Sequence, residues 1–270
     1  MSAAAPSAGA SARAWVHIPH PSSALAVWRR NARVFSKVWK GALLPQFFDP
    51  LFYLLALGFG LGTYLTHIQG IPYKQFIAAG LIASAVMWAA SFESTWNAFF
   101  KMEEERLFDA ILTTPVQVQD LGAGEVAWAA TRAVIYGTTF LGIVAAFGLV
   151  RSPWALAIPP FLALGGACFA MLGITFTSLS PRIEFFSFYF TLFITPLFLF
   201  SGIFYPLDKL PGWVSTLAWF TPLYHLVQIT RPLVLGPHVL PVVGNTIWLV
   251  ALTALLYAIP VRAMRKRLVA

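Results

Sequence analysis

The sequence predicts an all-α polytopic membrane protein with six transmembrane helices. Three observations carry the prediction. Charged residues make up 10% of the 270 residues and hydrophobic ones 59%, whereas a soluble domain carries about 25% charge; lipid is the solvent such a chain fits. Six predominantly apolar stretches approach the roughly 20 residues that a bilayer crossing requires. Lys and Arg are distributed unequally between the two sides those crossings define.

The six stretches are Leu43 to Gly62, Phe76 to Thr95, Val126 to Val150, Trp154 to Leu179, Glu184 to Phe204 and Pro241 to Val261. Apolar chain at bilayer depth must be helical, because nothing there solvates an unpaired backbone group. With the N-terminus in the cytosol, only Lys74, Arg151, Lys209 and Arg231 fall on the outer side and Arg132 lies inside a span; the remaining Lys and Arg of the total of 18 lie inside. Both termini are therefore expected in the cytosol of a bacterium, with the chain crossing its inner membrane several times.

Residues 1–23 read as a disordered cytosolic tail, small and Pro/Ser-containing, without the apolar stretch of a cleaved signal. Residues 24–40 read as an amphipathic interface helix. At 100° per residue Leu25, Trp28, Ala32, Phe35 and Trp39 share one arc, while Arg29, Arg30, Arg33, Lys37 and Lys40 share another. Such a helix lies among headgroups with Trp28 and Trp39 at the boundary and its cations on anionic lipid. The transmembrane domain is expected over 41–262, and a short basic tail over 263–270. Within the domain, residues 205–236 contain apolar patches too short to cross, broken by Pro206, Pro211, Pro222 and Pro232, and read as short re-entrant helices of the outer face.

Several function classes are excluded by composition. No soluble basic domain exists to bind nucleic acid. The one cysteine, Cys168, cannot form a disulfide framework or thiolate cluster. The five histidines show no metal-ligand spacing, so no metal site is expected. No G-x-x-x-x-G-K-[ST] phosphate loop occurs, and no nucleophile–base pair is evident.

Between the second and third stretches, residues 101–115 read as a short cytosolic helix. Glu103, Glu104 and Glu105 would sit in its first turn, at the positive end of the helix dipole. Leu107, Phe108, Ile111 and Leu112 would form an apolar edge beside Arg106 and Asp109, and Pro115 would end it. Apolar edge plus dense charge suits docking on another protein; a solvated loop is the alternative.

Three groups of residues carry a resemblance. The first is Ser91-Phe92-Glu93-Ser94-Thr95-Trp96 through Asp109-Ala110-Ile111-Leu112-Thr113-Thr114-Pro115. The second is Gly124-Glu125-Val126-Ala127-Trp128-Ala129-Ala130-Thr131-Arg132. The third is Phe200-Ser201-Gly202-Ile203-Phe204-Tyr205-Pro206-Leu207, with Trp219, Thr221-Pro222-Leu223 and His225 after it. Together they resemble the permeases of type-2 ABC exporters, and within them the NodJ-like group linked to lipo-oligosaccharide export; polysaccharides and drug-like molecules are the cargo of other members.

What the resemblance implies is a homodimeric permease that is not itself an enzyme. It would work with two copies of a separate ATP-binding-cassette ATPase, which would hold the ATP and Mg. Residues 101–115 would be the coupling helix seated in that ATPase. The path would run along the dimer interface between the first, second and fifth spans. A membrane-embedded lipid-modifying enzyme and a structural protein recruiting cytosolic partners remain as alternatives from other classes.

A few polar and aromatic positions inside the spans are candidates for the path or its gate. Arg132, expected about two turns into the third span, would snorkel to the surface, pair with Glu93 or Glu125, or touch cargo; a central arginine costs roughly 2.5–3.5 kcal/mol on insertion scales. Asp49 and Glu93, at the inner ends of the first two spans, would mark the interface or orient a polar headgroup there. Phe186, Phe190 and Phe193 share one face of the fifth span and read either as packing or as a path lining. Pro196 is expected to kink that span.

Overall fold

The computed structural model describes residues 19–236 and 239–269. Within them the chain is a bundle of helices: α1 (Pro21–Tyr53), α2 (Tyr73–Phe92), α3 (Leu107–Leu112), α4 (Val118–Ala146), α5 (Pro159–Leu179), α6 (Phe185–Phe188), α7 (Thr195–Phe200), α8 (Gly212–Trp219), α9 (Pro222–Leu235), α10 (Val239–Leu256) and α11 (Ala258–Leu268). A two-residue antiparallel ladder, β1 (His67–Ile68) with β2 (Ile71–Pro72), turns the chain between α1 and α2. The chain is thus all-α and polytopic. Four helical stretches are long and apolar enough to cross a membrane, Tyr73–Glu104, Val118–Ala146, Pro159–Leu179 and Pro241–Leu268, and two shorter apolar ones, Phe48–Thr63 and Phe185–Phe200, lie where the first and fifth crossings are expected.

The centre of the bundle is α2. Every residue from Phe76 to Met87 is buried, so the helix has no preferred face, as a fully enclosed helix should not. Its alanines, with Gly80 and Ser84, let neighbours approach closely, the usual device where lipid supplies no hydrophobic drive between helices. Close approach is most demanding at Gly173 of α5, where an added Cβ would lie 1.9 Å from Ser94 Oγ. Thr177 of α5 donates to the Ser94 carbonyl at 2.9 Å beside that contact. At the far end, Thr230 of α9 donates to Ala79 O of α2 at 3.0 Å, and His225 stacks on Trp248 with centroids 3.9 Å apart.

The structure draws several boundaries differently from the sequence. The expected interface helix (24–40) and first span are one continuous α1, which begins at Pro21 and runs through Pro45 and Pro50 before a π-helical segment, Leu54–Gly60; proline is tolerated where neighbouring groups re-satisfy the freed carbonyls. Residues 1–18, most of the expected tail, lie outside the described residues. The second span does not end at Thr95: π segments Glu93–Asn97 and Phe100–Glu104 carry its helix to Glu104. The expected helix at 101–115 shrinks to Leu107–Leu112, because Lys101 and Met102 are buried in the bundle. The fifth span is interrupted by a π segment, Tyr189–Ile194, which brings Pro196 into the first turn of α7, where its missing N–H costs nothing. The expected basic tail is the end of α11, a packed helix whose Met264 is fully enclosed.

Candidate functional site

A buried ionic network joins α1, α2 and α4 near the end of the bundle that carries α3. It starts from spacing. Glu125, Trp128, Arg132 and Tyr136 recur at three- and four-residue intervals and so share one face of α4. Glu93, Asn97 and Lys101 do the same on the extension of α2. Where the two faces meet, Glu93 accepts four hydrogen bonds. Its Oε1 takes Lys101 Nζ at 3.1 Å and Trp128 Nε1 at 2.9 Å. Its Oε2 takes Asn97 Nδ2 at 2.5 Å and Arg132 Nη1. Lys101 Nζ also donates to Glu125 Oε2 at 2.6 Å, and Asn31 Nδ2 of α1 to Glu125 Oε1 at 2.8 Å. Arg132 Nη2 donates to Tyr136 Oη at 2.8 Å, which donates in turn to Ala42 O of α1 at 2.7 Å.

Two carboxylates thus face two cations, all of them buried, and formal charge cancels. Desolvating four charges is costly, and the arrangement is tenable because nearly every donor and acceptor is used. Rings close it from the side: Phe35 and Trp128 meet edge to face at 5.5 Å, and the Arg132 guanidinium lies 5.4 Å from the Phe35 ring.

The start of α1 packs flat on α4. His20 N and Gln117 N donate to the two oxygens of Asp120, at 2.6 and 3.1 Å, tying the first residues of both helices. Trp28 Nε1 donates to Thr131 Oγ1 at 2.9 Å. Gly124 makes the approach possible: a Cβ there would lie 2.6 Å from Val27 Cβ. Gly124→Leu is therefore expected to lever α1 from α4 and cost about 1–3 kcal/mol, the usual overpacking range. Thermal unfolding of the purified variant measures it, and adding Val27→Ala should return part of the loss; no change in midpoint would mean that α1 is not seated here.

The residues anticipated from sequence divide. Glu93 and Arg132 meet, and the pairing option for Arg132 is the one realised, four turns into α4 rather than two. Glu93 is not a boundary residue, since its helix continues to Glu104. Asp49 is exposed on α1, seven residues past Ala42, and has no part in the network. Of the α1 residues, Trp28 turns onto α4, Arg30 donates to Asn31 Oδ1 at 3.1 Å, and Arg29, Arg33, Lys37 and Trp39 are exposed. Phe186 is fully enclosed between Trp96, Phe99 and Phe176. Phe190 stacks on Phe92 and Trp88 with centroids at 4.6 and 5.8 Å, and Phe193 leans on Tyr189. Sequence reasoning missed Asn31, Trp128 and Tyr136, and counted Lys101 as an inner-surface charge; the periodicity on α4 was the available signal.

Beyond Glu104 the chain reverses at Arg106, whose φ of 51° is left-handed, and α3 follows. The three glutamates are thus not at a helix start. Glu103 and Glu104 end the α2 extension, where the dipole disfavours them, and Glu105 follows it. Arg267 of α11 answers Glu103, its Nη2 donating at 2.7 Å and its Nε at 3.2 Å. The same guanidinium donates from Nη1 to Ser180 O, closing the end of α5. The apolar edge of α3 faces inward. Phe108 is 3% exposed, packed with Val27, Phe99, Leu121, Phe186 and Met264, and Ile111 and Leu112 lean on the same cluster. Leu107 is half-buried. Glu104, Glu105, Arg106 and Asp109 point away from the bundle, with Arg106 and Asp109 paired at 3.6 Å.

Comparison with known proteins places this arrangement. A family model described as "ABC-2 type transporter" matches residues 23–235. Nodulation protein J of Rhizobium leguminosarum bv. trifolii is 41% identical over 218 residues, 81% of this chain and 83% of the relative. Nodulation protein J of Neorhizobium galegae is 36% identical over 249 residues, covering 90% and 93%. The inner membrane transport permease YadH of Escherichia coli (strain K12) is 25% identical over 221 residues, covering 80% and 84%.

Proposed function

The chain belongs to the ABC-2 type transporter family and is the transmembrane permease subunit of an ABC exporter, and we propose from that premise that it exports a lipid-linked or amphipathic cargo across a bacterial inner membrane. A lipo-oligosaccharide is the first candidate, given the nodulation proteins it is similar to; polysaccharides and drug-like molecules follow. Two copies of the chain, each crossing six times with both termini in the cytosol, would pair with two copies of a separate ATPase that holds ATP and Mg. The region Phe100 to Leu112 would couple the two, α3 entering a cleft of the ATPase.

The observation that supports this reading is the division of α3 into two faces. Phe108 fixes it to the transmembrane core, while its charged face is left to solvent. A partner touching that face would move α3 and the bundle together.

The test is to purify the chain with its ATPase and measure ATP-driven uptake of cargo into inverted vesicles. Reversal of exposed charge, Glu104→Lys with Asp109→Lys, is expected to slow association with the ATPase about tenfold at low salt, and less at high salt, because complementarity acts mainly on encounter. ATPase binding and transport that both survive the reversal unchanged would separate the segment from coupling. Uptake itself separates an exporter from a lipid-modifying enzyme or a recruiting scaffold.

A further inference from the structure

A cavity of about 580 Å³ opens beside the network, between α1, the α2 extension and α4. That is within the range of small-molecule sites, roughly 300–1,000 Å³. Val34, Val38, Phe35, Phe92 and Phe100 give it apolar and aromatic walls, and Arg132 with Trp96 supplies polar atoms. Hydrogen-bond accounting shows what those atoms lack. The four acceptor positions of Glu93, the buried carboxylate on this wall, are all occupied by protein donors. Two buried donors are not: Arg132 Nε and Trp96 Nε1 have no partner. Arg132 is 6% exposed, so the usual remedy of bulk water is closed to it, and an unpaired buried donor is costly.

The imbalance has a sign. The site offers donors and asks for acceptors. It does not ask for charge, because Lys101 and Arg132 are balanced by Glu93 and Glu125, and Arg30 and Glu105 on the walls have opposite signs. A group that accepts hydrogen bonds without carrying charge, and that lies well against aromatic rings, is the ring of a sugar.

We propose that this cavity binds the glycosyl headgroup of an amphiphile, its ring or hydroxyl oxygens accepting from Arg132 Nε and Trp96 Nε1. The apolar chain would lie along Val34 and Val38. The site lies within one subunit, and the proposal deepens the exporter reading by naming the cargo's headgroup class.

The experiment uses the full complex in detergent micelles containing equal amounts of a glucosyl diacylglycerol and a phosphatidic acid with the same acyl chains. Native mass spectrometry reads the ratio of the two lipid adducts. The wild type is expected to favour the glucolipid at least about fivefold. Trp96→Phe keeps the ring and removes one donor, and Arg132→Lys keeps the charge toward Glu93 and removes Nε; each is expected to reduce glucolipid binding roughly tenfold, the equivalent of one buried hydrogen bond. Trp213→Phe, on distant α8, should leave the ratio alone. Equal binding of both lipids, preference for the phosphatidic acid, or glucolipid binding indifferent to Trp96→Phe would each overturn the proposal. Binding as expected without ATP-driven transport would sink the cargo reading and leave the site standing; transport without headgroup preference would do the reverse.

Discussion

Replacing Glu93 with alanine is expected to destabilise the protein by about 3–5 kcal/mol, the cost of stripping one partner from a buried ion pair. Four donors lose their acceptor at once. Lys101 keeps Glu125, but Arg132 is left with the Tyr136 hydroxyl as its only hydrogen-bond acceptor. The measurement is the thermal midpoint of the purified chain, with membrane insertion checked first. Glu93→Gln should fall between, since an amide still accepts from Trp128 while leaving the cations undercompensated. The double replacement Glu93→Met with Arg132→Met removes one charge of each sign and leaves Lys101 with Glu125. It should cost clearly less than the sum of the two single changes. A Glu93→Ala protein within 1 kcal/mol of wild type would mean that the four groups do not act as one unit.

The second large effect is expected at Phe108. Phe108→Ala should cost about 3–5 kcal/mol locally, by transfer and by the void left among Val27, Phe99, Leu121, Phe186 and Met264. Its functional signature follows from where that energy is stored. The charged face of α3 is untouched, so the ATPase should still bind; what loosens is the attachment of α3 to the bundle. ATP turnover should therefore continue while transport per ATP falls at least several-fold. Measuring both in the same vesicles decides the matter. Loss of the ATPase with intact thermal stability would put Phe108 on the partner's side instead, as the sequence pattern alone had suggested.

That contrast shows where the sequence is legible. Long apolar runs and the placement of Arg and Lys report on lipid directly, so the fold class and most helices can be read from them. Pairing of Arg132 with Glu93 was also within reach, because an arginine in a span must find a partner or the surface. The faces of short helices were not. Six residues from Leu107 to Leu112 hold an apolar edge that fits either a partner or the protein's own core, and only the position of α4 and α11 decides between them. Lys101 misled for a related reason: it lies just past the apolar run ending at Thr95, and hydropathy cannot see that π segments carry the helix on, with Glu93 and Glu125 waiting for the charge. In α1, Asn31 sits among arginines and reads as solvent-facing until the Glu125 carboxylate is placed opposite.

The π segment at Glu93–Asn97 has a consequence for anyone who edits this gene. A π segment holds one residue more than the α-helix around it. Deleting a single codon between Phe92 and Ala98 would therefore give a more regular helix, with better local geometry than the natural one. It would also turn everything downstream by about 100°, swinging Lys101 out of reach of both carboxylates and Met102 out of its packing. Insertions and deletions of one residue are ordinarily tolerated in loops and damaging in helices. Here the shortened chain would be the more ideal helix and the worse protein, and a design procedure that rewards helical regularity would choose it.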